Sequence, residues 1–460
     1  MANKMNVTKE LCEFVYNNKF TDLDDKTIQS TKTAILNIVG CMIAGYQTRI
    51  GRLHTEIAKD MGGGRDQSTI IGDGSKVSVP LAAYANGNFG FALDYEDTVL
   101  YIAHPGYITT SSGFAMGENL NSSGEDLITS INLGFEVVSR IGAAMQPTPE
   151  RGSKVWGEQY HPFASAVTVS KLLKLDSDQI NVAFGIAGTY ATVPSVYKYF
   201  GLVEETRPMR EVKLGWGWMS MAGTVAAQSA HRGFKGGHGI LDGEQGFYIM
   251  AGSDRCDFNK ITKDLGKSWV INDTEYKIHP SIAWNHPLFD ATRKLVKKHE
   301  INPEAIEKIN ISGMAMHLIG DKNPRSAVDA QFSLPYTVAT TLLSEPLSPD
   351  LYSDEKLSDP KIKNLLSRIN LSHDKSADDD FFSHQKMRFS LEVITKNKEN
   401  FISNVEWPKD QPATDKNNLE KKFRLLASTY FDDQRVEEIF QKINKLEEIE
   451  NINELIKLLY

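Results

Sequence analysis

Cysteine is scarce in this chain. Among 460 residues there are three, Cys12, Cys41 and Cys256, widely separated and odd in number, with no CxxC pair. That argues against a disulfide framework and against a zinc knuckle, and it fits a reducing compartment. No apolar run reaches the roughly 18 residues that a membrane span needs. The opening residues lack the apolar core of a signal peptide. A soluble, cytoplasmic protein is expected. Positive charge is also short: 51 Lys and Arg stand against 59 Asp and Glu, a formal net charge of −8. Without a basic stripe, nucleic acid and anionic membranes are poor partners. An anionic ligand therefore has to be held by a local cationic pocket.

Familiar cofactor signatures are missing as well. There is no GxxxxGK[ST] and no strand–GxGxxG–helix unit. The glycines between Gly233 and Gly239 follow a helix-like segment and read as turns. GxSxG is absent, so a serine-hydrolase elbow has no support. No HExxH pair occurs. Asp94, Glu96 and Asp97, or His279 with His286, lack the fixed spacing of a metal site. Neither a cofactor nor a metal is expected.

What is present is ordinary globular material, 41% hydrophobic and 24% charged, long enough for more than one core. Residues 24–45 carry Ile28, Ile35, Leu36, Val39, Met42 and Ile43 at helical spacing behind Asp24 and Asp25. From 80 to 250 alanine, glycine and serine alternate with apolar residues in long Pro-poor runs, which predicts closely packed helices. The texture changes near Gly266. Trp269, Val270 and Ile271 read as a short strand, 287–299 as a helix, and Ile309/Ile311 and Met387/Phe389/Leu391/Val393 as half-buried strands. Asp378, Asp379 and Asp380 read as a solvated loop. Helical periodicity returns from 418 onward. The fold class is mainly α plus α+β. A large helical domain is expected over 1–266 and 405–460, and a smaller α+β domain over 267–404.

Five short segments concentrate protonatable groups beside Pro and Gly. The first is Asp94-Tyr95-Glu96-Asp97-Thr98 followed by His104-Pro105-Gly106. It follows the apolar run Phe89–Leu93, so part of it enters the interior, where a carboxylate must be paired. His104 is near enough in sequence to be that partner, and an Asp–His pair tunes an imidazole for proton transfer. The second is Tyr160-His161-Pro162. The third, Arg207 to Lys213, clusters Arg207, Arg210 and Lys213 before a small-residue helix; cations there suit carboxylate binding, although a solvated basic turn reads the same way. The fourth runs from Lys277 through His279-Pro280 to His286-Pro287. The fifth, Phe332-Ser333-Leu334-Pro335-Tyr336, places a tyrosine hydroxyl in an apolar run, where it needs a partner for structure or for chemistry.

These segments, in this order, resemble the MmgE/PrpD family, which includes 2-methylcitrate dehydratase, cis-aconitate decarboxylase and iminodisuccinate epimerase. The likeness also takes in Leu11 to Val15, Ala34 to Gly40, Ala85-Asn86-Gly87, Gly233-Phe234 and Leu241 to Phe247. It implies a helical domain built from both chain ends, an α+β domain, a cleft site, a homodimer and no required cofactor. Carried over residue by residue, it implies a catalytic set of Asp94, Thr98, His104, His161, Lys213, Lys277 and Tyr336. Arg207, Arg210 and His286 are candidates for binding the carboxylates of a small di- or tricarboxylic acid. The expected reaction is elimination of water by acid/base catalysis, with His104, oriented by Asp94, moving the proton and His161 as the opposite acid or base. Decarboxylation and epimerisation are the alternatives; a non-enzymatic scaffold is disfavoured because buried charge without a task is costly. Five positions depart from the family pattern: Glu96 replaces Asp, Phe91 replaces a common His, Phe163 replaces Thr, His279 replaces an aromatic, and Ile282 replaces a Cys or His found in several relatives, the decarboxylase among them.

Overall fold

The computed structural model describes residues 6–62, 66–99, 103–152, 159–191, 216–384, 386–410 and 415–460. The chain divides into two compact units: residues 1–196, 215–276 and 415–460 in the first, 197–214 and 277–414 in the second. Sequence periodicity put the breaks at 266 and 404; the edges of the units fall at 276 and 414.

The first unit is helical. Its principal helices are α1 (Val7–Asn17), α2 (Asp25–Gln47), α3 (Arg49–Met61), α4 (Val79–Phe91), α5 (Pro105–Leu120), α6 (Gly124–Ala144), α7 (Pro162–Leu172), α8 (Ser177–Thr189) and α9 (Gly217–His231). Helix α2 starts where Asp24 caps it, accepting from the Thr27 N–H at 2.7 Å. Its residues Ile35, Ile38, Val39, Met42 and Ile43 are fully buried. The small residues do what their abundance predicts. A Cβ at Gly223 of α9 would come within 2.2 Å of the Pro162 carbonyl oxygen, so only glycine lets α9 lie this close to α7.

Two short antiparallel ladders complete this unit: β1 (Ser68–Thr69) with β2 (Lys76–Val77), and β3 (Asp97–Val99) with β4 (Thr274–Tyr276). The strand expected at 269–271 is instead a 3₁₀ turn, Val270–Asp273. The Val270 N–H is taken by the Glu136 carboxylate at 2.7 Å, which removes it from any ladder, and the extended segment begins at Thr274. The chain's last helices return to this unit. Lys32 of α2 is bound to Glu447 at 2.7 Å, and Lys422 reaches the Asn37 side chain at 2.7 Å.

The second unit is α+β. A four-stranded sheet in the order β6-β5-β7-β8 is formed by β5 (Ile306–Gly313), β6 (Ile369–His373), β7 (Met387–Thr395) and β8 (Asn400–Trp407). Strand β5 runs parallel to β6 and antiparallel to β7, and β7 alternates buried and half-buried residues along its length. Its helices include α10 (His286–His299), α11 (Leu334–Leu342), α12 (Asp354–Ser358) and α13 (Pro360–Arg368). The aspartates expected in a loop lie on a helix, Lys375–His384. Asp378 holds it in place by accepting from the Ala315 N–H at 2.7 Å and pairing with His373 at 2.6 Å. Among the described residues no helix is long and apolar enough to cross a membrane.

Candidate functional site

The acid segment sits at the end of α4. Asp94 turns the chain with φ of 50°, the left-handed region that a non-glycine residue occupies at a cost of roughly 1–2 kcal/mol. Strain of this kind persists only where the surroundings fix it, and it concentrates at working sites. Asp94, Glu96 and Asp97 are all completely buried. Thr98 follows on β3 opposite Glu275, and its hydroxyl is buried without a hydrogen-bond partner among the described residues.

His104 caps α5, whose first residue, Pro105, needs no hydrogen-bond acceptor for its nitrogen. Its Nδ1 lies 2.7 Å from the Asp97 carbonyl oxygen and 3.1 Å from the Glu96 carboxylate. Both are acceptors, so Nδ1 carries a proton and Nε2 is the basic nitrogen. The acid that meets the imidazole is thus Glu96, two residues beyond the expected Asp94. Asp97 faces the other way. Its Oδ2 accepts from the Gly106 N–H at 3.1 Å, and a Cβ at Gly106 would stand 1.9 Å from Oδ1, so this approach requires glycine. Burial, with Glu96 adding to it, pushes the Asp97 carboxyl up to about 6 against the opposing pull of His104.

His161 completes the cluster. Its Nε2 accepts from the His104 backbone N–H at 3.4 Å, and its Nδ1 lies 3.2 Å from the Tyr107 hydroxyl. Burial, with His104 nearby, holds it well below the usual histidine range, so it is a neutral imidazole. An aromatic wall surrounds the two histidines. Trp216 stacks on Phe91 at 4.4 Å between centroids and lies 5.1 Å from the His161 ring and 6.0 Å from the His104 ring.

In the second unit Lys277 is almost wholly buried. The turn that follows is tied by Ser281: its hydroxyl meets His279 Nδ1 at 2.9 Å, and its carbonyl accepts from His286 Nε2 at 3.3 Å. His286, a candidate for substrate binding, therefore anchors this turn. Tyr336 donates its hydroxyl to the Leu351 carbonyl at 2.8 Å, so its one hydroxyl hydrogen is committed within its own unit. Tyr352, packed against the Tyr336 ring at 5.9 Å, donates to the Pro280 carbonyl.

The structure thus gathers Asp94, Thr98, His104 and His161 in one unit and sets Lys277, His286 and Tyr336 in the other. Arg207, Arg210 and Lys213 lie outside the described residues. Sequence reasoning missed Tyr107, Trp216 and Lys422. The Lys422 ammonium donates to the Tyr95 carbonyl at 2.5 Å, inside the acid segment. Its signal was legible: with Leu419, Phe423 and Leu426 it occupies the apolar stripe of its helix, an unusual place for lysine. Among the described residues no three His, Cys, Asp or Glu side chains form a metal-binding group.

A pinned imidazole amid buried carboxylates, in a chain with one helical and one α+β unit, is a candidate proton-transfer site. The lineage of the chain follows from comparison. Residues 9–258 match the MmgE/PrpD N-terminal domain and residues 279–446 the MmgE/PrpD C-terminal domain. The chain belongs to the MmgE/PrpD family. It is similar along its whole length to the cis-aconitate decarboxylase of Homo sapiens, 24% identical over 482 residues that span 98% of this chain and 94% of that protein. The cis-aconitate decarboxylases of Mus musculus and Aspergillus terreus are likewise 24% identical, covering 98% and 99% of this chain and 93% and 96% of their own.

Proposed function

We propose that this chain is a lyase acting on a small di- or tricarboxylic acid, and that the reaction is decarboxylation of the cis-aconitate type. The observation that carries this reading is the pinned tautomer of His104: an imidazole with Nδ1 committed to Glu96 and the Asp97 carbonyl presents Nε2 for proton transfer. The full-length similarity to cis-aconitate decarboxylases supports this substrate class.

In such a reaction the bond to one carboxylate breaks, carbon dioxide leaves, and the electron pair left behind is delocalised toward a neighbouring carboxylate. A proton then reaches carbon. His104, protonated at both nitrogens, supplies it from Nε2 and regains one from water. Glu96 stabilises the imidazolium that this cycle requires. Asp94 and Thr98 frame the same site. His161 is a positioning residue in this scheme, because both its nitrogens are engaged and burial keeps it neutral. Lys277, Lys213, Arg207 and Arg210 are the cations that the family resemblance assigns to the substrate carboxylates. Tyr336 holds the segment around Leu351 in place.

A second reading is favoured by one residue. Ile282 is apolar and buried where several relatives, the decarboxylase among them, carry Cys or His, and that change points back to elimination of water from a 2-methylcitrate-like acid. There His104 Nε2 takes the proton from carbon and an acid returns one to the leaving hydroxyl. Incubation with cis-aconitate and with 2-methylcitrate in deuterated water, followed by proton NMR, separates the two. Carbon dioxide with a deuterated alkene supports decarboxylation; an alkene formed without loss of carbon supports dehydration; exchange alone supports epimerisation. No change with either acid, nor with related dicarboxylates, overturns the lyase assignment. The same reading carries a cytoplasmic homodimer, whose mass light scattering would measure.

A further inference from the structure

The second unit holds a cavity of about 870 Å³ whose lining comes from two stretches of chain, Lys322 and Arg325 before α11 and Asp354, Leu357, Lys363 and Leu366 on α12 and α13, its two walls. Nothing in the proposed chemistry uses it. Three cations face one carboxylate there, in a chain whose net charge is −8. Elsewhere in this unit cations have partners: Lys356 binds Glu345 at 2.5 Å and Lys294 binds Asp290 at 2.5 Å. Lys322, Arg325 and Lys363 form no ion pair among the described residues. Gathering three cations around a concavity with a single carboxylate raises the local potential, and a polyanion relieves it.

The chemistry of the lining narrows the ligand. Arginine offers a planar fork that matches a phosphate, and lysines add point charges for a second one. Leu357 and Leu366 supply an apolar strip that a bare polycarboxylate does not use. The volume lies in the upper part of the range of roughly 300–1,000 Å³ typical of pockets for molecules larger than a simple acid. We propose that this cavity binds a phosphorylated small molecule of nucleotide size, its phosphates on Lys322, Arg325 and Lys363 and its apolar ring on Leu357 and Leu366.

The two walls are also the two brackets of Tyr336. On one side the Asp321 carbonyl accepts from the Ser333 hydroxyl at 2.5 Å, and that hydroxyl accepts from the Tyr336 N–H at 3.0 Å. On the other, Leu351, just before α12, accepts from the Tyr336 hydroxyl. A ligand bridging the walls therefore restrains the first turn of α11 through both contacts.

Titration calorimetry of the full chain with ADP tests the proposal, beside inorganic pyrophosphate and citrate, at low and at moderate salt. One saturable ADP site is expected, weakening as salt rises. The double variant Lys322→Gln/Arg325→Gln, or Lys363→Gln should the double fail to fold, is expected to bind ADP about 100-fold and about tenfold more weakly, respectively. His104→Ala is expected to bind it unchanged, which keeps this site distinct from the proposed reaction centre. Hydrogen exchange in 334–342 and 349–358 is expected to slow on ADP addition. Absence of saturable ADP binding at millimolar concentration, or binding unaltered in the variants, overturns the site. Citrate binding as tightly as ADP, with the same dependence on the variants, overturns the phosphate assignment.

Discussion

The backbone N–H of His104 is directed at Nε2 of His161, 3.4 Å away, so the two histidines share one hydrogen bond that fixes the protonation of the second ring. With Nε2 accepting, the His161 proton resides on Nδ1 and is donated to the Tyr107 hydroxyl. Tyr107→Phe removes that acceptor from a buried N–H. A loss of about 1–3 kcal/mol in unfolding free energy is expected, measured by urea titration. An unchanged midpoint would show that the His161 Nδ1 proton does not depend on Tyr107 for its acceptor.

His104→Ala is expected to lower turnover about 10²–10⁴-fold, the usual contribution of a proton-transfer group, with circular dichroism unchanged. Glu96→Gln keeps the shape but removes the charge facing Nδ1. Its expected effect is smaller, with the pH profile of turnover shifted because the imidazolium is less stabilised. Wild-type rates in His104→Ala on a confirmed substrate would remove it from the mechanism.

The buried groups predict opposite pH slopes. Asp97 is raised from 3.8 to about 6 in the folded chain, so between these values the folded state holds the proton more tightly than the unfolded one. Stability from this group declines as pH rises through that window, and the penalty is complete above 6. Asp97→Asn is therefore expected to gain stability relative to wild type as pH climbs from about 4 to 6, then to run parallel to it. His161 works the other way. Its folded value lies well below 6.5, so its contribution is lost as pH falls below 6.5. Thermal unfolding of wild type, Asp97→Asn and His161→Gln across pH 4–8 reads the two slopes.

Gly106→Ala introduces a methyl group 1.9 Å from a fully buried carboxylate oxygen. The start of α5 has no room to yield without displacing His104. A destabilisation of about 3 kcal/mol or more is expected, together with loss of turnover. A variant as stable as wild type would show that this segment relaxes freely.

Lys277→Ala is expected to raise KM more than it lowers kcat, since a cation that holds a carboxylate acts in the ground state as well as the transition state. A fall in kcat at constant KM would assign Lys277 to charge that develops only during the reaction.

Much of the helical architecture was legible from periodicity. The stripe of Ile35, Val39 and Met42 and the alternation from Met387 to Val393 each gave the correct element, because burial on one face leaves a period in the sequence. The failures share a cause. Val270 was misread because a distant carboxylate, Glu136, took its N–H, and Asp378 because the N–H it accepts from, that of Ala315, is remote in sequence. The candidate site shows the same limit. His104 announced itself by its neighbours, but which acid faces it depends on the left-handed turn at Asp94, which composition does not encode. Trp216 and Lys422 join the cluster only through the tertiary fold.

The reach of Lys422 into the acid segment has a consequence for biosynthesis. Asp94, Glu96 and Asp97 leave the ribosome early, yet the ammonium that grips the Tyr95 carbonyl between them lies in the final stretch, 415–460. Throughout translation of the second unit the acids are without that cation, and burying them is correspondingly costly. The acid segment therefore reaches its finished form only after Lys422 has been made, so a polypeptide terminated before it carries the candidate residues His104 and His161 without that lysine.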